Sequence, residues 1–334
     1  MSYRRFDQDD IVVSADSITT PAWTNNTVTL TDFHRSATQT SADSGKYYHY
    51  VYNSNTAAQE IQFSLAYGNS DGLGAPLFDS AIVSKSYSST VYGQFRTLIN
   101  GDEDTDFTFN VGGTITTPKS IYAISVQRAR FKEKLLPGST LLHLKGNKGI
   151  LKLTDNSKNV STDTFVDAGR VYSLYSASSA GTVHSTTNEY GKVYPDIGTF
   201  ILNAELLSSS GYLNTSSANP IFGTSNYTTH NNIDNLFGAI YSGSHFSARA
   251  DETLSSNFIF VRARNAEFNY STNPSNITGS GELRHNVMID NPQGYITQVG
   301  LYNDNNDLLG VAKLSTPLQK DFTKEALIRI KLDY

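Results

Sequence analysis

Glu60-Ile61-Gln62-Phe63-Ser64-Leu65-Ala66-Tyr67 sets a large apolar side chain at every second position, and that period of two decides the fold. Successive side chains of a strand point to opposite faces, so Ile61, Phe63, Leu65 and Tyr67 share one. The same rhythm returns in Ala326-Leu327-Ile328-Arg329-Ile330-Lys331-Leu332-Asp333-Tyr334, with Ile328, Ile330 and Leu332 opposed to Arg329, Lys331 and Asp333. Before and between them, further strands are expected at 27–31, 47–52, 107–111, 121–126, 170–175, 199–207 and 258–261. The stretches 141–144 and 149–153 read as a hairpin around Lys145 to Lys148. Another joins Tyr295–Tyr302 to Leu308–Leu314 through the polar turn Asn303 to Asp307.

One helix stands out. Ser88-Ser89-Thr90 can cap it, Val91, Tyr92, Phe95, Leu98 and Ile99 fall on one stripe, and Asn100-Gly101 ends it. The fold class expected is mainly β: antiparallel β-sandwich-type domains with one or few short helices and a polar, loop-rich central region. Composition divides the chain into an extended N-terminal arm (1–45), a β-rich core with one helix (46–154), a polar elaborated region (155–256) and a C-terminal β region completing the core (257–334).

The 334 residues include no cysteine, which removes disulfides, thiolate metal sites and cysteine nucleophiles. A net charge of −5 speaks against gripping nucleic acid, which calls for a basic patch. The basic start is followed only by Ile11-Val12-Val13, too short for a signal-peptide core, and no apolar run approaches a membrane span, so a soluble protein is expected. Charged residues make up 17 % against 20 Tyr and 17 Phe. Low charge with many tyrosines suits a surface that other subunits cover.

Chemistry-bearing motifs do not assemble. The seven histidines are scattered, without the i, i+4 spacing of a helical metal site. Asp102, Asp104 and Asp106 alternate like a calcium loop, but Phe107 and Gly113 occupy the places of its glycine and its final glutamate. No nucleophile elbow, phosphate loop or dinucleotide fingerprint occurs. The chain is therefore read as a non-enzyme with no cofactor and no metal.

The residues singled out are candidates for binding partner chains. Arg128-Ala129-Arg130 and Arg262-Ala263-Arg264 each follow a hydrophobic run and share Arg-Ala-Arg-x-x-Glu. On a strand, the two arginines would form a fork for carboxylates or neighbouring carbonyls. Two strand ends alike by chance give the same pattern. Trp23, the only tryptophan, is an interface anchor or a core residue. Ile328, Ile330 and Tyr334 mark the C-terminal strand as a second contact.

Five stretches taken together, SITTPAW (17–23), VYGQFRTLI (91–99), VQRARFKEKLLPG (126–138), AEFNYSTNP (266–274) and YITQVGLYNDNNDLLGVAKL (295–314), resemble a family of virion structural proteins. These belong to large contractile-tailed phages of cyanobacteria and other marine bacteria. The resemblance covers both ends of the chain and omits the polar middle. It implies a structural, baseplate-type subunit in the virion, wedge or peripheral, present in multiple copies. Its partners would be other baseplate and tail proteins, with tail fibres as a further candidate, and neither nucleic acid nor membrane. A receptor-binding fibre protein contacting host glycans, or a neck or capsid-associated protein, is the alternative.

Overall fold

The computed structural model describes residues 5–35, 48–74, 82, 86–210 and 232–333. The protein is mainly β, 47 % strand and 17 % helix, as the alternating stretches require. In chain order the first strands are β1 (Ile11–Pro21), β2 (Thr29–Leu30), β3 (Tyr48–Tyr52), β4 (Ile61–Asn69), β5 (Phe109–Val111), β6 (Thr114–Thr116), β7 (Ser120–Val126), β8 (Lys134–Leu135), β9 (Leu141–Gly146) and β10 (Gly149–Asp155). There follow β11 (Thr164–Val166), β12 (Gly169–Ser179), β13 (Thr182–Ser185), β14 (Gly191–Tyr194), β15 (Thr199–Asn203), β16 (Phe246–Ser247), β17 (Arg249–Ala263), β18 (Gly294–Tyr302), β19 (Leu308–Lys320) and β20 (Ala326–Asp333). Helices among the described residues are α1 (Tyr87–Asn100), α2 (Arg128–Phe131), α3 (Ala204–Ser209), α4 (Asn232–Gly243) and α5 (Asn286–Asp290).

The chain forms two compact units, Ile18–Glu252 and a smaller one made of Met1–Ser17 with Thr253–Tyr334. Composition alone placed the divisions elsewhere, after residues 45, 154 and 256.

The larger unit is built on a twelve-stranded sheet of order β2-β16-β9-β10-β12-β14-β15-β7-β4-β3, with β11 and β13 also on β12. Its pairings are antiparallel throughout. The central strands are buried on both faces. Phe63, Leu65, Tyr67, Tyr122, Ile124, Phe200 and Leu202 enter one core; Ile121, Ala123 and Ile201, on the alternate positions, enter a second with Tyr92 and Ile99 of α1. The sheet rolls far enough that Phe246, near one end of the strand order, meets Phe63, near the other, at 5.4 Å between rings. Trp23 and Phe200 close on the same ring at 4.9 and 5.6 Å. Sheet twist makes such closure natural in a sheet this wide.

α1 runs as its pattern predicts and stops at Gly101, whose φ of 74° lets its N–H reach Thr97 O. Leu98 departs from the expected stripe and is exposed, because one residue carries it about 100° round the helix from Ile99. The strand expected at 199–207 switches to α3 at Ala204. The Asn203 side chain accepts the Leu206 N–H at 3.0 Å, an N-cap that diverts the chain into a helix. Within the polar middle region, β12, β14 and β15 lie inside the large sheet. In β12 and β14 apolar residues alternate with Ser and Lys, which lowers the average hydropathy without weakening the pattern. α4 also lies in this region. Ile233, Leu236, Phe237 and Ile240 follow the i, i+3, i+4, i+7 spacing and are buried. The segment 1–45 is only partly an arm, since Ala22, Trp23, Leu30 and Phe33 are core residues.

In the smaller unit, β17 lies between β1 and β20. β17 and β20 are antiparallel, with Ile259 opposite Ile330 and Val261 opposite Ile328. β18 and β19 form the hairpin read from the sequence, and Asn303 Oδ1 ties its turn by accepting the Asn305 and Asp307 N–H groups at 3.0 and 2.8 Å. The core of this unit is small: Ile259, Leu301 and Ile330, with Val261, Val299, Ala312 and Ile328 packed around them.

Candidate interaction surfaces

The residues expected at an interface fall into different places. Trp23 is 2 % exposed and packs on Phe63 and Phe246, so it is core; aromatic area of that size is stabilised most by complete burial. Ile330 is buried and Ile328, partly buried, packs beside it, so both belong to the small unit's core. Tyr334 lies outside the described residues. Arg128 and Arg130 are not a strand fork, because Gln127 ends β7 and one turn of helix follows. Arg130 there meets Glu60 at 2.9 Å and the Thr24 hydroxyl, while Arg128 donates to Glu133 O at 3.0 Å and lies over Phe131. Arg262 is on β17 and pairs with Glu325 at 2.8 Å. Arg264 follows that strand, its N–H donating to Glu267 Oε2 at 2.9 Å. Arg128, Arg130 and Arg262 thus have partners within the chain, and the shared motif occupies two unlike local structures.

What the small unit does present is apolar. Sixteen of the twenty-six exposed large apolar side chains among the described residues belong to it, although it has fewer than a third of the residues. Among the described residues, only Ile259, Ala263, Leu301, Ala326 and Ile330 are buried apolar residues of this unit, against more than forty in the larger one. Ile11, Val12 and Val13 are exposed in succession at the start of β1, so neither face of that stretch is covered. On the hairpin, Leu309 is 71 % exposed, with Leu308, Val311 and Tyr295 also open. The Tyr302 ring lies over Gly300, where a Cβ would stand 2.9 Å from a ring carbon, and Leu308 borders the same spot. On α5, Val287 is 76 % exposed and Ile289 is open too. Scattered exposed apolar side chains are ordinary; a concentration of this kind in one small unit makes it the candidate interaction surface. The sequence signal lay in runs that break alternation, Ile11-Val12-Val13 and Leu308-Leu309, where a two-faced sheet has no second layer to cover both faces.

Polar clusters in the larger unit are bound up in structure. His49 is fully buried, and its Nε2 lies 3.0 Å from Asp234 Oδ1, which also receives Arg35. Burial pushes the Asp234 carboxyl up, but the His49 hydrogen bond and the Arg35 charge outweigh it and hold the group below its ordinary range. The cluster ties α4 to β3. His143 and His245 stack at 4.3 Å; burial, the neighbouring imidazole and Lys152 push His143 down to about 4. In the loop resembling a calcium site, Asp102 accepts the Asp104 and Thr105 N–H groups, and Asp106 accepts Arg96 and Tyr92. Those carboxylates are used in fixing the loop. Among the described residues no group of three His, Asp or Glu is placed to hold a metal, and no helix is long and apolar enough to cross a membrane.

The smaller unit has its own buried cation. Lys320 is 0 % exposed, and its ammonium donates to Asn265 O, Asn269 Oδ1 and Asp321 O at 3.1, 2.7 and 2.9 Å. Three acceptors match the three N–H donors of an ammonium, so the group pins the turn after β17 to the end of β19. Comparison with family models, curated proteins and solved structures gave no match.

Proposed function

We propose that this protein is a structural subunit of a phage tail baseplate, wedge or peripheral, which holds other tail proteins through its smaller unit. The observation that carries this reading is the inversion there: few apolar residues buried, many exposed on β1, the hairpin and α5. A unit with so thin a core gains much of its order from whatever covers it, as obligate assembly subunits do. The five stretches that resemble contractile-phage virion proteins supply the location, and three of them (SITTPAW, AEFNYSTNP and YITQVGLYNDNNDLLGVAKL) have residues in this smaller unit. The larger unit acts as the rigid body.

The test is mass spectrometry of purified phage particles followed by gold-labelled antibody against the whole chain in electron microscopy. Label around the plate at the distal end of the tail is the expected result. Label on the head, neck or distal fibres would overturn the baseplate assignment, and absence of the chain from purified particles would overturn the virion reading altogether.

A further inference from the structure

β1 and β20 are the two outer strands of the small unit's sheet, each with β17 as its partner on one side among the described residues. An outer strand keeps a row of unpaired backbone groups and is a template for another strand. The two edges differ in charge. The approach to β1 and the strand itself carry Asp7, Asp9, Asp10 and Asp16. On β20, Lys331 is 3.0 Å from Asp333, whereas Arg329 has no carboxylate partner among the described residues and lies over the Phe258 ring at 5.4 Å. Both edges also carry uncovered apolar groups: Val12 and Val13 on one, Leu327 and Leu332 on the other.

We propose that a second copy of this chain occupies these edges, β20 of one copy pairing with β1 of the next, so that the sheet runs on from subunit to subunit. Pairing like edges about a two-fold axis would set Arg329 and Lys331 against their own copies, or Asp16 against its own, and like charges across a strand pair are destabilising. The unlike pairing places basic beside acidic and brings the uncovered apolar residues of both edges into one surface. Such a heterologous contact gives each copy one donor edge and one acceptor edge, the arrangement that builds rings or open arrays. This inference stands on the strand edges alone and not on the location in a phage particle.

Charge reversal tests it with full-length chains. One variant is Arg329→Glu with Lys331→Glu; the other is Asp9→Lys and Asp10→Lys with Asp16→Lys. Each alone has two edges of like sign; mixed, every contact again joins opposite signs. Sedimentation velocity is expected to show wild-type chain associating in low salt, each variant associating at least tenfold more weakly, about 1.4 kcal/mol, and the equimolar mixture regaining the wild-type behaviour. Far-UV circular dichroism and melting confirm that both variants are folded. A wild-type chain that stays monomeric at its highest soluble concentration overturns the proposal. So does a single variant that associates like wild type, or a mixture that fails to recover.

Discussion

The two units of this chain use apolar residues in opposite ways. In Ile18–Glu252 a wide sheet is covered on both faces, by Tyr92 and Ile99 of α1 on one side and by the Trp23, Phe63, Phe246 cluster and α4 on the other. In the unit formed by the chain's two ends, the sheet and hairpin share a few aliphatic residues and leave the rest outside. Stability scales with apolar area removed from water, roughly 25 cal/mol per Å², so the larger unit draws far more stabilisation from its own core than the smaller one does. Under the proposed role the two tasks are separated: a body that is stable before assembly, and a region that gains stability through it.

The comparison breaks first in the aromatic cluster. Phe246→Ala removes the ring on which Trp23, Phe63 and Phe200 converge and is expected to cost about 3–5 kcal/mol. Scanning calorimetry should show the higher of two transitions falling while the lower one stays; a single transition that moves as a whole would mean the units unfold together. Next in size is Lys320→Met, which leaves Asn269 Oδ1 without its donor at a cost of about 1–3 kcal/mol, while Asn265 O keeps the Asn269 amide and Asp321 O keeps the Lys324 N–H. Hydrogen exchange should quicken in residues 253–333 and not in the large sheet.

Acid sharpens the contrast. His143 stays neutral in the folded protein down to about 4, whereas in the unfolded chain it takes a proton near the ordinary value of 6.5. Between these values the unfolded state binds more protons, so the contribution is complete above 6.5 and is lost as the pH falls toward 4. Denaturant midpoints of the larger unit should decline across that window, and His143→Asn should flatten the decline. The smallest change in stability belongs to Leu309→Ser with Val311→Thr on the open side of the hairpin, within about 0.5 kcal/mol. The same pair should reduce binding of a hydrophobic dye clearly, since that surface is where the apolar groups are uncovered.

Much of the fold is legible locally. Phe63, Leu65 and Tyr67 declare a strand by their spacing, Gly101 declares the end of α1, and Asn303 to Asp307 declare a turn. α3 is obscured because 199–207 reads as one apolar strand until the Asn203 cap diverts it, and α4 because Ile233 stands in a stretch whose Ser and Asn content suggests loops, while its i, i+3, i+4 spacing carries the signal. The interface was harder. Trp23 and Ile330 have the same local character as Val13 and Leu309; which of them is covered depends on strands far away in sequence, and no local period encodes that. The Arg-Ala-Arg pair shows the same limit, since identical residues sit on one turn of helix in one case and on β17 in the other.

The construction of the small unit from residues 1–17 and 253–334 also sets a timetable. A ribosome adds about 5–20 residues per second, so β1 emerges on the order of tens of seconds before β17 and longer still before β20. Throughout that wait Ile11, Val12 and Val13 have no strand beside them, while the intervening chain can complete its own fold. The smaller unit is thus completed only after the strands of the larger one have all been made.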